Sequence, residues 1–388
     1  MPHRRDNGSE GRETYDAVVI GAGVVGLACA WRAASRGLRV CVLERDRPGA
    51  GASGVAAGML APVGEVSWGE ERLLRANLAS AAAWPAFAGE LGEASGREVG
   101  YRARGALHVA LDRDEAEELR RRHELQVSLG LEAEWLRPTA CRRLEPGLAT
   151  SIAGGIHAPD EAEADPRVVV AALSEAFARA GGMLIAGDEP VEALLAGGRI
   201  AGVRTRGGRA MRAEQVVLAT GAWAGETGWL PVEARPPVRP VKGQILVLRG
   251  EQPACERIVA SRRVYLVPRA DGRLVVGATV EERGFETAVT AGGVHELLRE
   301  AYRLLPEVAE LEIAEMTAGL RPGSPDNAPL VGAGRLEGLL LATGHYRNGV
   351  LLAPLTADAV AALLTGDDAP EAAAGLAPAR FRHEGVPA

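Results

Sequence analysis

Asp16-Ala17-Val18-Val19-Ile20-Gly21-Ala22-Gly23-Val24-Val25-Gly26, read on to Glu44, decides how this chain is understood. The apolar run Ala17–Ile20 predicts a buried strand, Gly21-x-Gly23-x-x-Gly26 a tight turn into a helix, and Leu38–Leu43 a second strand ending at Glu44. The three glycines serve different ends, Gly21 the turn, Gly23 the close approach of backbone N–H groups to a pyrophosphate, and Gly26 the helix–strand contact. The helix N-terminus adds unpaired donors and partial positive charge for phosphates. Glu44, an acid about 20 residues past the glycines, is placed to accept hydrogen bonds from a ribose diol. A G-x-G-x-x-G alone is weak. Between two strands and followed by the acid, it specifies an adenine dinucleotide, and leaves NAD and FAD both open.

The chain has 388 residues, past the size at which one core stops growing, so two domains are expected. A net charge of −7 argues against a nucleic-acid or anionic-membrane surface. Arg120-Arg121-Arg122 sits beside Glu117, Glu118 and Glu124 and reads as a solvated helix face. The four cysteines are dispersed without a C-x-x-C, which suggests neither a zinc site nor a disulfide framework, and no metal is expected. Arg4-Arg5 is followed by no uninterrupted apolar segment, so the twin-arginine reading fails and the cytoplasm is the default. Residues 1–14 and 369–388 read as loose tails.

Beyond the first unit, Gly49–Met59 is a run of tiny side chains, suited to close approach of backbone to something large and flat. Helices are expected over 71–95 and 113–130, with strands within Tyr101–Leu111. Asp165-Pro166 is a helix start, running to about Ala180, followed by a strand at Met183–Ala186. A hairpin-like pair, Ile200–Thr205 and Gln215–Ala219, leads into Thr220-Gly221-Ala222-Trp223. From Val238 the texture is β: a strand Val241–Leu248, then a hairpin Val264–Arg269 and Arg273–Thr279 over Ala270-Asp271-Gly272. Alternation puts Tyr265, Val267 and Arg269 on one face of that hairpin. A helix at about 293–304 follows. A buried strand Gly338–Thr343, the turn Gly344–Gly349 and a helix Val350–Leu364 end the pattern. The chain thus begins and ends with α/β segments around mostly β material, as when one domain is inserted into another.

No nucleophile motif or histidine cluster accompanies the dinucleotide signature, which leaves the hard chemistry to the cofactor. Three residues suit a substrate carboxylate: Arg321 in Gly319-Leu320-Arg321-Pro322, Arg347 in the Gly344–Gly349 turn, and Tyr265 on the hairpin face. Arginine forks onto a carboxylate and a tyrosine hydroxyl donates one more bond. Each alone has a plainer reading, an ion-pair arginine or a packing tyrosine.

Together these stretches resemble the D-amino-acid-oxidase-like flavoenzyme family, and within it the glycine oxidase group associated with thiamine biosynthesis. The resemblance rests on the signature at 18–26, Ala56–Pro62, Val216–Trp223, Arg239–Gln244, Val264–Arg269, Gly319–Pro322 and Gly344–Gly349, in family order over about 15–365. It implies non-covalent FAD, and an α/β, Rossmann-like FAD-binding domain interrupted by a mostly antiparallel β substrate domain. The expected FAD domain comprises 15–85, 150–230 and 316–368; the substrate domain comprises 86–149 and 231–315. By resemblance, the FAD positions are Gly21, Gly23, Val24, Val25, Gly26, Glu44, Arg45, Ala52, Ser53, Ala57, Gly58, Met59, Val191 and Gly221, with His345, Tyr346, Arg347, Asn348, Gly349, Val350 and Leu351.

Arg321, Tyr265 and Arg347 would hold the substrate. The implied reaction is oxidation of glycine, sarcosine or a small D-amino acid, with dioxygen as acceptor and no catalytic side chain at the bond-breaking step. A homo-oligomer is also implied. Arg263 and Val280 depart from the family pattern, where a histidine and a methionine stand, and are expected at the pocket border. The competing readings are a D-amino-acid dehydrogenase, a sarcosine-oxidase-like enzyme, an FAD-binding subunit of a larger complex, and an NAD-dependent dehydrogenase.

Overall fold

The computed structural model describes residues 14–381. Strand Thr14–Ile20 lies at the centre of the first sheet, parallel to Val40–Glu44 on one side (Ile20 opposite Leu43) and to Ala210–Leu218 on the other (Ile20 opposite Leu218). Met183–Ala186 extends the sheet beyond Val40–Glu44, and Leu339–Thr343 pairs in parallel with the end of Ala210–Leu218. Ala17, Val18, Val19 and Ile20 are all buried, as a strand covered on both faces requires. Helices Val24–Ser35, Pro166–Arg179, Ala353–Thr365 and Glu71–Ser95 share one apolar core on one side of this sheet. The other face packs around Val18, Ile200, Val216 and Leu341.

A second sheet of eight strands carries the β-rich segments. Its ladders are antiparallel apart from one parallel pairing, Ile258–Ala260 with Ala106–Ala110. Its longest ladder joins Arg239–Arg249 to Glu312–Gly323, with Gly243 opposite Gly319 and Val241 opposite Arg321. Three short strands, Met59–Leu60, Ala162–Ala164 and Tyr101–Arg102, form a small sheet of their own.

Local signals place several elements closely. Helix Glu71–Ser95 has the expected bounds, as does strand Met183–Ala186. Asp165 caps helix Pro166–Arg179 by accepting from the Arg167 N–H at 3.0 Å. Gly37 follows helix Val24–Ser35 with φ +87°, the left-handed conformation that ends helices. On the hairpin, Tyr265 and Val267 pack into one cluster and Leu266 into another, as period two demands.

Elsewhere the structure departs from expectation. Strand Ala210–Leu218 starts earlier than Gln215, and its antiparallel pairing with Arg199–Thr205 involves residues 210–212. The Gln215–Leu218 stretch is the parallel core of the first sheet instead. Strand Pro190–Ala196 is an addition to the expected elements; it pairs with Arg199–Thr205 across Gly197-Gly198. The last long helix begins at Ala353, because 346–352 are taken up by successive turns. Residues 316–323 and 154–158, expected in the FAD domain, run in the second sheet. The expected boundary at 85/86 falls inside helix Glu71–Ser95, whose Phe87 and Leu91 join the first core. Residues 369–381 are not a loose tail: Ala373 and Leu376 are buried in that same core. Residues 1–13 and 382–388 of the expected tails lie outside the described residues.

Candidate cofactor and substrate site

A cavity of about 580 Å³ runs from the glycine signature to the second sheet. At its first end, Gly21 adopts φ +107°, and a Cβ there would meet the backbone of Ala219. Gly26 does not line the cavity; a Cβ at that position would overlap the Gly21 carbonyl, so it serves the close helix–strand contact. The first turn of helix Val24–Ser35 faces the cavity through Val24 and Val25, and the Val24 N–H donates to Ser53 Oγ at 2.9 Å. Glu44 accepts from the Ala22 N–H at 2.8 Å through Oε2 and from the Asp46 N–H at 2.9 Å through Oε1. These bonds fix the carboxylate plane, and each oxygen keeps a lone pair for a diol. The Arg45 guanidinium lies 4.8 Å from the Trp223 ring centroid, forming part of the same wall.

Along the middle, Ala52, Ser53, Ala57, Gly58 and Met59 line one side and Val191, Thr220 and Gly221 contribute elsewhere. Gly58 has φ +75°, and a Cβ there would overlap the Ala164 carbonyl. Thr220 Oγ1 is buried without a hydrogen-bond partner among the described residues. An orphaned hydroxyl, glycine backbone and helix N–H groups around one elongated space fit a dinucleotide.

At the far end, Tyr265 and Arg321 come together from two strands of the second sheet. Arg321 Nη1 donates to the carbonyls of Thr279 at 3.1 Å and Lys242 at 3.4 Å. A Cβ at Gly243 would overlap the guanidinium, and one at Gly277 would overlap the Tyr265 phenol, so both side chains lie across glycines. Burial raises the Tyr265 pKa, while the Arg321 charge opposes that rise, so the phenol stays protonated and able to donate.

The turn after strand Leu339–Thr343 closes the cavity. The Tyr346 N–H donates to the Pro322 carbonyl at 2.9 Å, which joins this turn to the strand bearing Arg321. His345, Tyr346, Arg347, Gly349 and Val350 line the space. Burial pushes the His345 pKa down to about 3, and its Nε2 lies 3.0 Å from Thr356 Oγ1, so the imidazole is neutral. Arg347 is exposed, its guanidinium 5.4 Å from the Tyr346 ring centroid.

Besides Gly26, two expected cofactor positions are not in this wall. Asn348 faces a smaller adjoining recess. Leu351 turns toward helix packing, its carbonyl accepting from Ser80 Oγ at 2.7 Å and Trp84 Nε1 at 2.9 Å. Arg263 and Val280 are exposed and do not line the cavity, contrary to expectation. Residues that sequence reasoning passed over include Glu65, Glu189, Arg206 and Trp229, all in the lining. None stands in a recognisable pattern; Glu65 follows the Ala56–Pro62 motif by three residues. All four cysteines are buried, and among the described residues no group of three or more His, Cys, Asp or Glu could hold a metal. No described helix is long and apolar enough to cross a membrane.

Comparison with known proteins agrees with this geometry. The model of the FAD dependent oxidoreductase family matches residues 16–363. The glycine oxidase of Geobacillus kaustophilus is 36% identical over 368 residues, covering 94% of this chain and 96% of that protein. The "Bifunctional protein ThiO/ThiG" of Trichormus variabilis is 37% identical over 353 residues; the match takes 90% of this chain but only 52% of that longer protein. The crystal structure of the Geobacillus kaustophilus glycine oxidase superposes with a TM-score of 0.90 at 34% identity, covering 96% of this chain and all of that one. This chain therefore belongs to the FAD-dependent oxidoreductase family of D-amino-acid oxidase type, and is a flavoenzyme whose cofactor is FAD.

Proposed function

We propose that the chain catalyses oxidative deamination of glycine and other small amines or D-amino acids, such as sarcosine and D-alanine. The products are the oxo acid, ammonia or amine, and hydrogen peroxide, and the imine or oxo product supplies the thiazole of thiamine. The observation that carries this reading is the Arg321 guanidinium, anchored by two backbone carbonyls beside Tyr265 in the cavity that begins at the glycine signature.

In this reading Gly21, Gly23, the first turn of helix Val24–Ser35 and Glu44 hold the adenosine and pyrophosphate half of FAD. The Ala57–Met59 backbone and the His345–Val350 turn border its ring system. FAD, when bound, supplies a hydride acceptor. The chain supplies position: Arg321 takes both oxygens of the substrate carboxylate and Tyr265 donates to one of them, which fixes the α-carbon. With Nη1 tied to Thr279 and Lys242, the guanidinium reaches its geometry before substrate arrives. Tyr265 stays neutral, so it donates to the carboxylate and places no phenolate against Arg321, and His345 stays neutral as well. Arg347, exposed at the cavity edge, adds a second positive charge that draws carboxylates in.

The test is a peroxide-coupled assay in air on purified holoenzyme with glycine, sarcosine, D-alanine and D-proline. Turnover of at least one of the first three with stoichiometric peroxide supports the proposal. Turnover only with an added quinone or dye acceptor makes the chain a dehydrogenase. Arg321→Ala removes a charged partner from a desolvated carboxylate, about 2–4 kcal/mol of transition-state binding, or roughly 30- to 800-fold in kcat/KM. Near wild-type kcat/KM would refute the role of Arg321.

A further inference from the structure

An α-amino acid at neutral pH has two charged ends, and the clamp above accounts for one. Arg321 and Tyr265 answer the carboxylate; the ammonium requires an anion nearby. The acids lining the cavity are Glu44, Asp46, Glu65, Glu189 and Glu226. Glu44, Asp46 and Glu189 stand at the glycine-signature end, where the Asp188 N–H meets the Glu44 carbonyl. Glu226 follows Trp223, which packs against Arg45 in that same region. Glu65 is different. It acts on the Tyr265 phenol, raising its pKa, and it lines the small recess with Tyr346 and Arg347 as well as the main cavity.

Among the described residues Glu65 is not committed to another side chain. Among the described residues its carboxylate has no hydrogen-bond or ion-pair partner; its charge acts at longer range on Arg122 and Tyr265. The chain just before it is held firmly. The fully buried Glu161 accepts from the Val63 N–H at 3.1 Å and also from the Gly64 N–H. Gln126 Nε2 donates to the Val63 carbonyl at 2.9 Å and Arg122 Nη1 to the Gly64 carbonyl at 3.2 Å. A Cβ at Gly64 would overlap the His108 ring, and His108 Nε2 lies 3.3 Å from Glu161 Oε2. Two peptide units are thus fixed through donors and acceptors alike, immediately before an unpartnered acid in the cavity wall. Such fixing has a physical use where a side chain must be aimed.

We propose that Glu65 receives the substrate's ammonium group and gives the site its preference for zwitterionic amino acids over plain carboxylic acids. The proposal rests on the reading of Arg321 and Tyr265 as the carboxylate clamp. Glu65 also stabilises the charged form of the bound amine, so the proton that must leave before the α-carbon is oxidised is held more tightly. The charged and titratable groups around it are Arg122 from helix Arg113–Ser128, Glu70, Tyr346 and Arg347 in the small recess, and Tyr265 and Arg321 of the second sheet in the main cavity.

The experiment compares wild-type holoenzyme with Glu65→Gln, Glu65→Asp and Glu161→Gln. Steady-state glycine kinetics are measured against pH, and acetate, which has a carboxylate but no amine, is titrated against the flavin absorbance. For Glu65→Gln the glycine KM rises roughly tenfold or more, acetate affinity stays within about twofold, and the acid limb of kcat moves to lower pH. Glu65→Asp recovers part of the KM. Glu161→Gln, which loosens the segment from outside the cavity, raises KM without moving that limb. An unchanged glycine KM in Glu65→Gln, or acetate affinity falling as much as glycine's, overturns the proposal. Acetate binding that is indifferent to Arg321→Ala overturns the carboxylate clamp instead, whatever Glu65→Gln does.

Discussion

Gly243→Ala separates the fold from the site it supports. Gly243 lies within strand Arg239–Arg249, opposite Gly319 and one residue past Lys242, whose carbonyl receives Arg321 Nη1. Its backbone is not in the left-handed region, so alanine is conformationally acceptable and gains about 0.5–1 kcal/mol over glycine within a strand. The atoms nearest the new methyl are those at the end of the Arg321 side chain, a flexible group that can swing away. Folding is therefore little changed or slightly improved, while the guanidinium leaves its place. Losing one well-aligned charged hydrogen bond to the substrate carboxylate costs about 1.5–3 kcal/mol, a fall of roughly 10- to 150-fold in kcat/KM. Peroxide-coupled kinetics with glycine read the fall; thermal melting and flavin absorbance check that protein and cofactor are intact. Gly319→Ala is the control, since its Cβ would lie 3.0–3.2 Å from Val55 side-chain atoms and not against Arg321. A Gly243→Ala enzyme that keeps kcat/KM within about twofold of wild type, or that loses stability instead, refutes this account of Arg321.

Two further outcomes follow from buried charge. His345 has a folded pKa of about 3, below the unfolded value near 6.5, so its contribution to stability is complete above pH 6.5 and is lost as pH falls toward 3. Urea unfolding should show an added slope of about 1.4 kcal/mol per pH unit in that window, and His345→Gln should flatten it; an unchanged slope would show that the imidazole is not buried neutral. Arg269→Ala takes one of the two arginine partners from the buried Glu163 and frees the Ala57 carbonyl. It should cost about 3 kcal/mol, the lower end for a broken buried pair because Arg102 stays 3.1 Å from Glu163. A loss below about 1 kcal/mol would mean that water takes over these contacts.

Much of the fold is legible because its signals are local. Asp165-Pro166 announces a helix start through capping and a fixed φ, both properties of adjacent residues. Gly37 and the turn around Gly272 are equally short-range, each with positive φ. The errors fall where partners decide. Nothing near Gln215 shows that its strand pairs in parallel with Thr14–Ile20 and not only with its hairpin neighbour. The turns across 346–352 delay the last helix although the apolar pattern from Val350 already looks helical. Leu351 and Asn348 belong to the right segment, yet their directions depend on Trp84, Ser80 and the turn geometry.

The signature at 16–44 determines by itself that a dinucleotide is bound, because its glycines, strand and acid act on a ligand within one short stretch of chain. Tertiary structure alone decides what lies at the cavity's far end. Arg321 is aimed by the carbonyls of Lys242 and Thr279, and Glu65 by the buried Glu161, partners remote in sequence. A lone arginine or glutamate has no pattern that states its direction. Direction comes from long-range pairing of strands and burial of the groups that hold each side chain, and these exist only once the chain has folded.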